Sequence, residues 1–414
     1  IVLEKIVLNN GLKIYLINDN SKHTTYINLI VKFGGIDNEV IVNGKKHKLK
    51  SGLAHFLEHL VLESSEYGDL MKIFGMNGVG SNGFTSIDRT QFYIDCVDNI
   101  ENNLGLFLSG IHCPIINEEV IEKIKGPILE EKRRSLDNKE TSTIYNASLE
   151  SIIDAKTFKS ILGDLKDIES IEKKDLDLAY DSFYRPDNEI LVIGGRFDKE
   201  AILSVINEVY SDGELSNDKI EKVIPPHKLE VNKKKIIVKE DINLEKSIIS
   251  FKINTLDMKP FDKVMLDTYL YYFLKNNFGI ASELNSRLAI NNIIVGNINY
   301  SCNLVEGYHV IRIESYTKNI KLFNDIIIDY FINKKFVFDE DFFNLCKRNY
   351  IIDLITRSDD LYRTIDPLIE NIVTFNYEGI DTIDDIEKMN FEEYKNIIMN
   401  LDFSNYSIAI LKRK

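Results

Sequence analysis

Two histidines and a glutamate lie close together in the sequence His55-Phe-Leu-Glu58-His59, within a stretch that is otherwise apolar. The residues from Ser51 to about Leu62 predict a helix with Ser51 as its N-cap, and its apolar character on nearly every side predicts burial. Positions i, i+3 and i+4 share one helical face, so the three polar side chains should project together. Burying them without partners is costly, whereas imidazoles are typical zinc ligands and a nearby carboxylate can hold the metal's water. The spacing favours a catalytic metal site over a chance cluster of core histidines.

A catalytic zinc site commonly has three protein ligands, so a third ligand is expected from another element. The predicted helix at 118–136 carries two adjacent glutamates. Helical projection places Glu131 within the apolar stripe of this helix and Glu130 about 100° away from it. Because a buried carboxylate needs a cation, Glu131 is the predicted buried ligand. The alternatives are a salt bridge to one of the two arginines that follow, or a helix that frays at Pro127.

The elements that position these residues are predicted from apolar patterning and turn signals. Strands are expected at 13–17, 26–33, 81–87, 91–97 and 188–195. Further helices are expected near 100–111 and 173–182. Together these elements form a first unit of the α+β class.

A change of composition predicts a linker after this unit, because residues 211–230 are rich in small and polar residues and contain a Pro-Pro pair. The segment that begins at Lys235 then resembles the segment that begins at Lys13, at a shift of about 222 positions. Both halves end in an apolar strand, which indicates internal duplication. The predicted division is an N-terminal metal-binding domain at 1–212, a linker at 213–230 and a homologous C-terminal domain without a metal site at 231–414.

Composition excludes several classes of protein. At 414 residues the chain is too long for one small domain, and 65 acidic against 51 basic residues give a net charge of −14, which disfavours nucleic-acid binding. The four cysteines are far apart and form no Cys-x-x-Cys pair, so a reducing, cytoplasmic compartment is expected. No apolar run approaches the roughly 18 residues of a membrane helix, so no membrane partner is expected. A signal removed before Ile1 is left open.

Three motifs occur in the order that one known family shows: His55-x-x-Glu58-His59, Ser81-Asn82-Gly-Phe-Thr85-Ser and Gly-Pro-Ile-Leu-Glu-Glu131. This series resembles the pitrilysin, insulysin and mitochondrial processing peptidase family of zinc endopeptidases, the inverzincins. Gly34-Gly35, Tyr184-Arg-Pro and the duplication extend the resemblance over nearly the whole chain. The length is similar to that of short bacterial members that form one half of a clamshell. The resemblance implies two homologous domains, each a mostly antiparallel sheet with helices packed on one face.

The same resemblance implies roles for individual residues. It implies one Zn²⁺ per chain on His55, His59 and Glu131, with Glu58 as the general base. It also implies that the strand at 81–86 is an exposed edge that pairs with the substrate backbone. The expected substrate contacts are Asn82, Gly83, Phe84 and Thr85.

The sequence departs from the family pattern at three places. Ile124 stands where many relatives have a second glutamate, so an auxiliary role is absent or has passed to Glu122. Pro127 replaces an aliphatic residue and can kink the ligand helix. Relatives use an Arg and a Tyr of the second half to polarise the substrate carbonyl, and here Arg287 and Tyr300 are the nearby candidates without a clear match.

The function implied is a zinc-dependent endopeptidase that hydrolyses short or unfolded peptides, including leader peptides or presequences. Pairing with an edge strand reads the substrate backbone, which selects extended peptides. Since one chain forms half of the chamber in this family, a homodimer or a heterodimer with a homologue lacking the motif is expected. The alternatives are a weakly active or non-catalytic peptide-binding subunit of a heterodimeric processing peptidase, and a zinc-stabilised binding protein without turnover.

Overall fold

The computed structural model describes residues 2–138, 142–153, 160–211, 219–223, 228–357 and 359–414. Its strands are β1 (Glu4–Val7), β2 (Lys13–Asn18), β3 (Thr25–Val31), β4 (Glu39–Val42), β5 (Lys45–Lys48), β6 (Gly80–Thr85), β7 (Thr90–Cys96), β8 (Glu189–Gly195), β9 (Ile220–Lys222), β10 (Lys235–Glu240), β11 (Lys246–Ile253), β12 (Ile294–Val305), β13 (Tyr308–Thr317) and β14 (Tyr406–Arg413).

The helices of the described chain occur in groups between these strands. They are α1 (Leu53–Glu63), α2 (Leu70–Met76), α3 (Ile100–His112), α4 (Glu118–Asp137), α5 (Ile144–Ile152), α6 (Leu165–Glu169), α7 (Lys173–Phe183), α8 (Lys199–Ser211), α9 (Pro260–Phe278), α10 (Glu283–Ile290), α11 (Ile320–Ile332), α12 (Glu340–Arg357), α13 (Leu361–Val373), α14 (Ile383–Lys388) and α15 (Phe391–Asn400). Among the described residues, none of the helices combines the length and the apolar character needed to cross a bilayer.

Two sheets of similar topology dominate the fold. The first has the strand order β1-β2-β8-β3-β7-β6, and the second has the order β10-β14-β11-β13-β12. In each sheet one pair is parallel, β2 with β8 and β10 with β14, and the other pairs are antiparallel. Lys13 lies opposite Ile190 as Lys235 lies opposite Ile408. The predicted α+β class is confirmed, and the matching strand order supports the predicted duplication.

The central strand β3 is buried along its whole length, which explains its continuous apolar sequence. Ile27 and Leu29 belong to the core of the first sheet, together with Phe56 and Leu60 of α1 and Leu104 of α3. The edge strand β6 instead alternates between exposed and half-buried residues. Helices α1 and α3 therefore pack together on one face of the sheet.

Helix α13 packs on the opposite face of the first sheet. Gly194 of β8 lies so close to Ile365 of α13 that a Cβ on this glycine would be 2.2 Å from the isoleucine Cδ1. Beside it, the Tyr26 hydroxyl donates a hydrogen bond of 3.3 Å to Asp366. In the second sheet, α5 has the equivalent position, with the hydroxyls of Ser148 and Ser250 at 3.0 Å.

The chain consequently divides into two compact units that are not contiguous in sequence. The first comprises the described residues within 1–134, 156–225 and 360–369, and the second comprises those within 135–155, 226–359 and 370–414. This division differs from the contiguous domains predicted at 1–212 and 231–414, because two short helical segments pack on the sheet of the other half. The predicted linker at 213–230 lies largely outside the described residues.

A buried ion pair joins α3 to β8 in the first unit. Nε2 of His112 lies 3.0 Å from Oε1 of Glu189, and Nδ1 lies 2.7 Å from the carbonyl oxygen of Leu108. Both ring nitrogens thus face acceptors, which only the protonated imidazole satisfies. Burial favours the neutral ring, but the carboxylate of Glu189 outweighs burial and holds the pKa of His112 above its ordinary value.

We predict that His112→Gln destabilises the first unit mainly at low pH. Because folding raises the pKa of His112 above the ordinary 6.5, its stabilisation is fully present below about pH 6.5 and is lost as the pH rises through the folded-state pKa. Denaturant unfolding at pH 5.5 should show a loss of about 2 kcal/mol, and the loss should shrink at pH 9. His23→Gln, at an exposed position, is the control. A loss that is equal at both pH values would contradict the assignment.

Candidate metal centre

Helix α1 begins at a glycine rather than at a capping side chain. Gly52 is the N-cap and has a φ of 86°, in the left-handed region, so the prediction of Ser51 as the N-cap is wrong. The Ser51 hydroxyl instead donates to Asp167 at 2.6 Å and accepts from the backbone N–H of Asp164 at 3.0 Å. These bonds fix the chain at the entrance to the helix. A Cβ on Gly52 would lie 2.9 Å from the Cα of Gly163, which explains why this close approach needs glycine.

Two of the three polar side chains in the His55–His59 motif of α1 are buried, as its apolar sequence predicts. His55 is 6% exposed and Glu58 is 7% exposed, whereas His59 is partly exposed. The rings of the two histidines are 4.8 Å apart between centroids and meet edge to face. Spacing along the helix has therefore brought both imidazoles to one place.

Helix α4 brings Glu131 to these imidazoles. Its Oε2 lies 3.5 Å from Nε2 of His55 and 3.8 Å from Nε2 of His59. One ligand atom from each of the three residues lies within 4.8 Å of the other two. The structure thus brings together the three predicted ligand residues from two helices. His59 and Glu131 are 72 positions apart in the sequence.

The prediction that Glu131 is buried is wrong, since its side chain is 48% exposed. The buried residues of α4 are Ile121, Ile124, Ile128 and Lys132. These four residues lie along one line on the helix surface. Glu131 lies beside this line, at the edge of the buried face. A cation at this carboxylate would consequently face solvent on one side, as a catalytic site requires.

The two alternatives for Glu131 do not occur. The guanidinium of Arg134 pairs with Glu130, at 3.2 Å, and not with Glu131. The helix also continues without fraying through Pro127 to Asp137. Gly126 and Pro127 are both exposed, so the missing N–H of the proline leaves no buried backbone group unpaired on that side.

The pKa values of the two histidines are shifted in opposite directions. Burial, together with the charge of His59, lowers the pKa of His55 to about 3, so this ring is neutral at ordinary pH. Nδ1 of His55 is buried and has no hydrogen-bond partner among the described residues. Burial is the largest single influence on His59 and lowers its pKa, but the hydrogen bond with Glu63 and the charges of Glu58, Glu63 and Glu131 together outweigh it, so the pKa of His59 is raised. A neutral buried imidazole, a second imidazole and an open carboxylate form a donor set that suits a divalent metal.

Glu58 lies beside this donor set and is held by the sheet. The Thr85 hydroxyl donates a hydrogen bond of 2.7 Å to Oε2 of Glu58. Burial raises the pKa of the Glu58 carboxyl, although the Thr85 hydrogen bond and the charge of His59 partly oppose this effect. A carboxylate with a raised pKa is a better proton acceptor near neutral pH than an ordinary glutamate.

The strand β6 lies at the edge of the first sheet, hydrogen-bonded to β7 on one side. Thr85 and Gly83 face α1, and a Cβ on Gly83 would lie 2.9 Å from Leu62 and 3.4 Å from Cγ of Glu58. Asn82 and Phe84 alternate with them and are exposed. The four residues predicted to contact substrate therefore divide between the two faces of the strand.

One of the three further candidates shares a helix with Glu131, and the other two belong to the second unit. Glu122 is on α4, nine positions before Glu131, and its exposed carboxylate pairs with Lys125 at 2.6 Å. Nine helical residues correspond to a rotation of about 180°, so Glu122 lies on the side of α4 opposite to Glu131, whereas position 124 lies on nearly the same side as Glu131. Arg287 is exposed on α10, and Tyr300 is half-buried on β12, both in the second unit.

The sequence analysis missed one residue at the site. Glu63 accepts a hydrogen bond at its Oε1 from Nδ1 of His59, over 3.0 Å. Glu63 is four positions after His59, so the i, i+4 spacing on one helical face could have identified it.

Comparison with known proteins identifies the family of the chain. The family model described as insulinase (peptidase family M16) matches residues 13–162, and the model described as peptidase M16 inactive domain matches residues 170–349. The uncharacterized zinc protease YmfH of Bacillus subtilis (strain 168) is 33% identical over 204 residues, which cover 49% of this chain and 47% of that protein. The chain spans about half the length of the curated relatives it matches.

Solved structures show the same fold over the whole chain. An M16-like protein from Alicyclobacillus acidocaldarius has a TM-score of 0.86 at 20% identity and covers 100% of this chain and 98% of its own. The periplasmic protease PqqL from Escherichia coli has a TM-score of 0.76 at 14% identity and covers 99% of this chain and 47% of its own. The chain belongs to the insulinase (M16) peptidase family. Its relatives are named zinc proteases, which supports a peptidase function.

We predict that Gly52→Ala destabilises the start of α1 more than Gly44→Ala destabilises its turn. Both glycines have positive φ values, 86° and 78°, so each substitution should cost about 1–2 kcal/mol of backbone strain. Only at Gly52 would the new Cβ also meet backbone atoms, since nothing lies within 4 Å at Gly44. Thermal unfolding should therefore show a larger fall in melting temperature for Gly52→Ala. Equal falls would contradict the close packing described for Gly52.

Proposed function

We propose that the chain is a zinc-dependent endopeptidase that hydrolyses short or unfolded peptides. The observation that carries the proposal is the convergence of His55, His59 and Glu131 within 4.8 Å of one another, beside the buried carboxylate of Glu58. Two imidazoles and one carboxylate are a common ligand set of catalytic zinc. One Zn²⁺ per chain would be held by these three residues.

A bound zinc ion supplies an electrophile that polarises the peptide carbonyl and makes water acidic at neutral pH. Glu58 is the general base: its carboxylate takes a proton from the attacking water and gives it to the leaving amine. The Thr85 hydroxyl holds Oε2 of Glu58 during both transfers. Burial, which raises the pKa of Glu58, favours a carboxyl group that can both accept and return a proton.

The substrate strand is proposed to pair with the free edge of β6. An edge strand offers backbone N–H and C=O groups to an extended chain, so it binds unfolded peptides without a fixed sequence. The exposed Asn82 and Phe84 are then available for side-chain contacts. Processing of a leader peptide or presequence is the finer form of this proposal.

Assembly and location remain predictions from the sequence. A homodimer or a heterodimer with a motif-lacking homologue is proposed, with Arg287 and Tyr300 of the second unit as candidates for contact with the substrate carbonyl. The cytoplasmic location expected from the cysteines is also a prediction, since the structurally similar PqqL of Escherichia coli is a periplasmic protease.

The first test of the proposal is Glu58→Gln. This change keeps the shape of the side chain but removes the proton acceptor, so zinc binding should persist while peptide cleavage falls by about 100-fold or more. Zinc content by elemental analysis and peptide-library digestion followed by mass spectrometry would measure both. Cleavage that is unchanged in the variant, or absent in the zinc-loaded wild type, would refute the enzyme and favour a peptide-binding subunit.

The second test compares two adjacent glutamates. Glu131→Gln removes a charged ligand and should weaken zinc binding by more than 10-fold, because a carboxamide is a poorer metal ligand than a carboxylate. Glu130→Gln, at the neighbouring exposed position paired with Arg134, should leave zinc binding unchanged. Competition with a chromogenic chelator measures both affinities. Equal affinities of the two variants would contradict the ligand assignment.

A further inference from the structure

The two predicted histidine ligands differ in what their second ring nitrogen contacts. Nδ1 of His59 lies 3.0 Å from Oε1 of Glu63, whereas Nδ1 of His55 has no partner among the described residues. The opposite nitrogen of each ring, Nε2, faces Glu131. Only His59 therefore has a side chain that can determine which of its nitrogens carries the proton.

The hydrogen bond with Glu63 selects one tautomer of His59. A carboxylate can only accept, so Nδ1 of the imidazole must carry the hydrogen. In the neutral ring the lone pair then belongs to Nε2, which points to His55 and Glu131. This is the tautomer that a metal at the three residues requires.

Helix stability does not explain why a glutamate occupies position 63. Glu63 is the last residue of α1, and no basic residue is present in the last turn. A negative charge at a helix C-terminus interacts unfavourably with the helix dipole. The hydrogen bond with Nδ1 of His59 is therefore the contact that distinguishes Glu63 at this position.

We infer that Glu63 is a positioning residue of the zinc site, which fixes the Nδ1–H tautomer and the orientation of His59 so that Nε2 is free to bind the metal. The inference rests on the proposed function. It adds one residue to the site besides the three ligands and the base. It also means that a hydrogen bond orients His59 but not His55.

The test measures zinc affinity and the His59 tautomer in three variants. Glu63→Ala should weaken zinc binding by about 10- to 100-fold, the usual effect of losing a partner of a metal-bound histidine. Glu63→Gln keeps an acceptor oxygen without the charge and should lose less. Glu66→Ala removes an exposed glutamate three positions further on and should bind zinc like the wild type. Competition with a chromogenic chelator gives the dissociation constants for zinc alone.

The second readout uses the zinc-free protein, so it is independent of turnover. Nitrogen-15 NMR of the imidazoles, at a pH at which His59 is neutral, should show a protonated Nδ1 in the wild type and Glu63→Gln, and a shift toward Nε2–H in Glu63→Ala. An unchanged tautomer and an unchanged zinc affinity in Glu63→Ala would overturn the inference while leaving the zinc site intact. Failure of the wild type to bind zinc would instead overturn the proposed function.

Discussion

The burial of polar side chains on an apolar helix is the constraint on which the rest of the structure depends. Helix α1 is hydrophobic on nearly all sides, so packing places His55 and Glu58 where water is largely excluded. Each buried polar group then needs a partner, because unpaired burial costs free energy. Thr85 provides one for Glu58, and Glu131 approaches His55 from another helix. The site is thus formed where neighbouring elements bring polar groups to the buried side chains of α1.

Close approach of backbone segments makes these partnerships geometrically feasible. The absence of a side chain at Gly83 lets β6 lie against α1 near Cγ of Glu58, which brings Thr85 within hydrogen-bond distance. Gly52 has the same effect at the start of the helix, where it packs against Gly163. The carboxylate of Glu58, the proposed base, needs little reorganisation when it is held in this way, because its donor is part of a hydrogen-bonded strand.

The sequence predicted the parts of this arrangement that depend on local periodicity. The helical spacing of His55, Glu58 and His59 was sufficient to place them on one face, and the strand patterns predicted the α+β class. The exposure of Glu131 was not predictable, because a helical projection shows which residues share a face but not how far the neighbouring elements cover it. The packing of 360–369 on the first sheet was missed for a similar reason: an amphipathic segment does not indicate which of two similar sheets it covers.

The two histidines proposed as ligands are held in place by different physical means. His55 is only 6% exposed, so close packing restricts its ring even though Nδ1 has no partner among the described residues. His59 is on the more exposed side, where packing restricts rotation less and a hydrogen bond to Glu63 can replace it. Support by packing is insensitive to charge, whereas support by a carboxylate depends on its ionisation. The less buried ligand is therefore the one through which surrounding charges can influence the site.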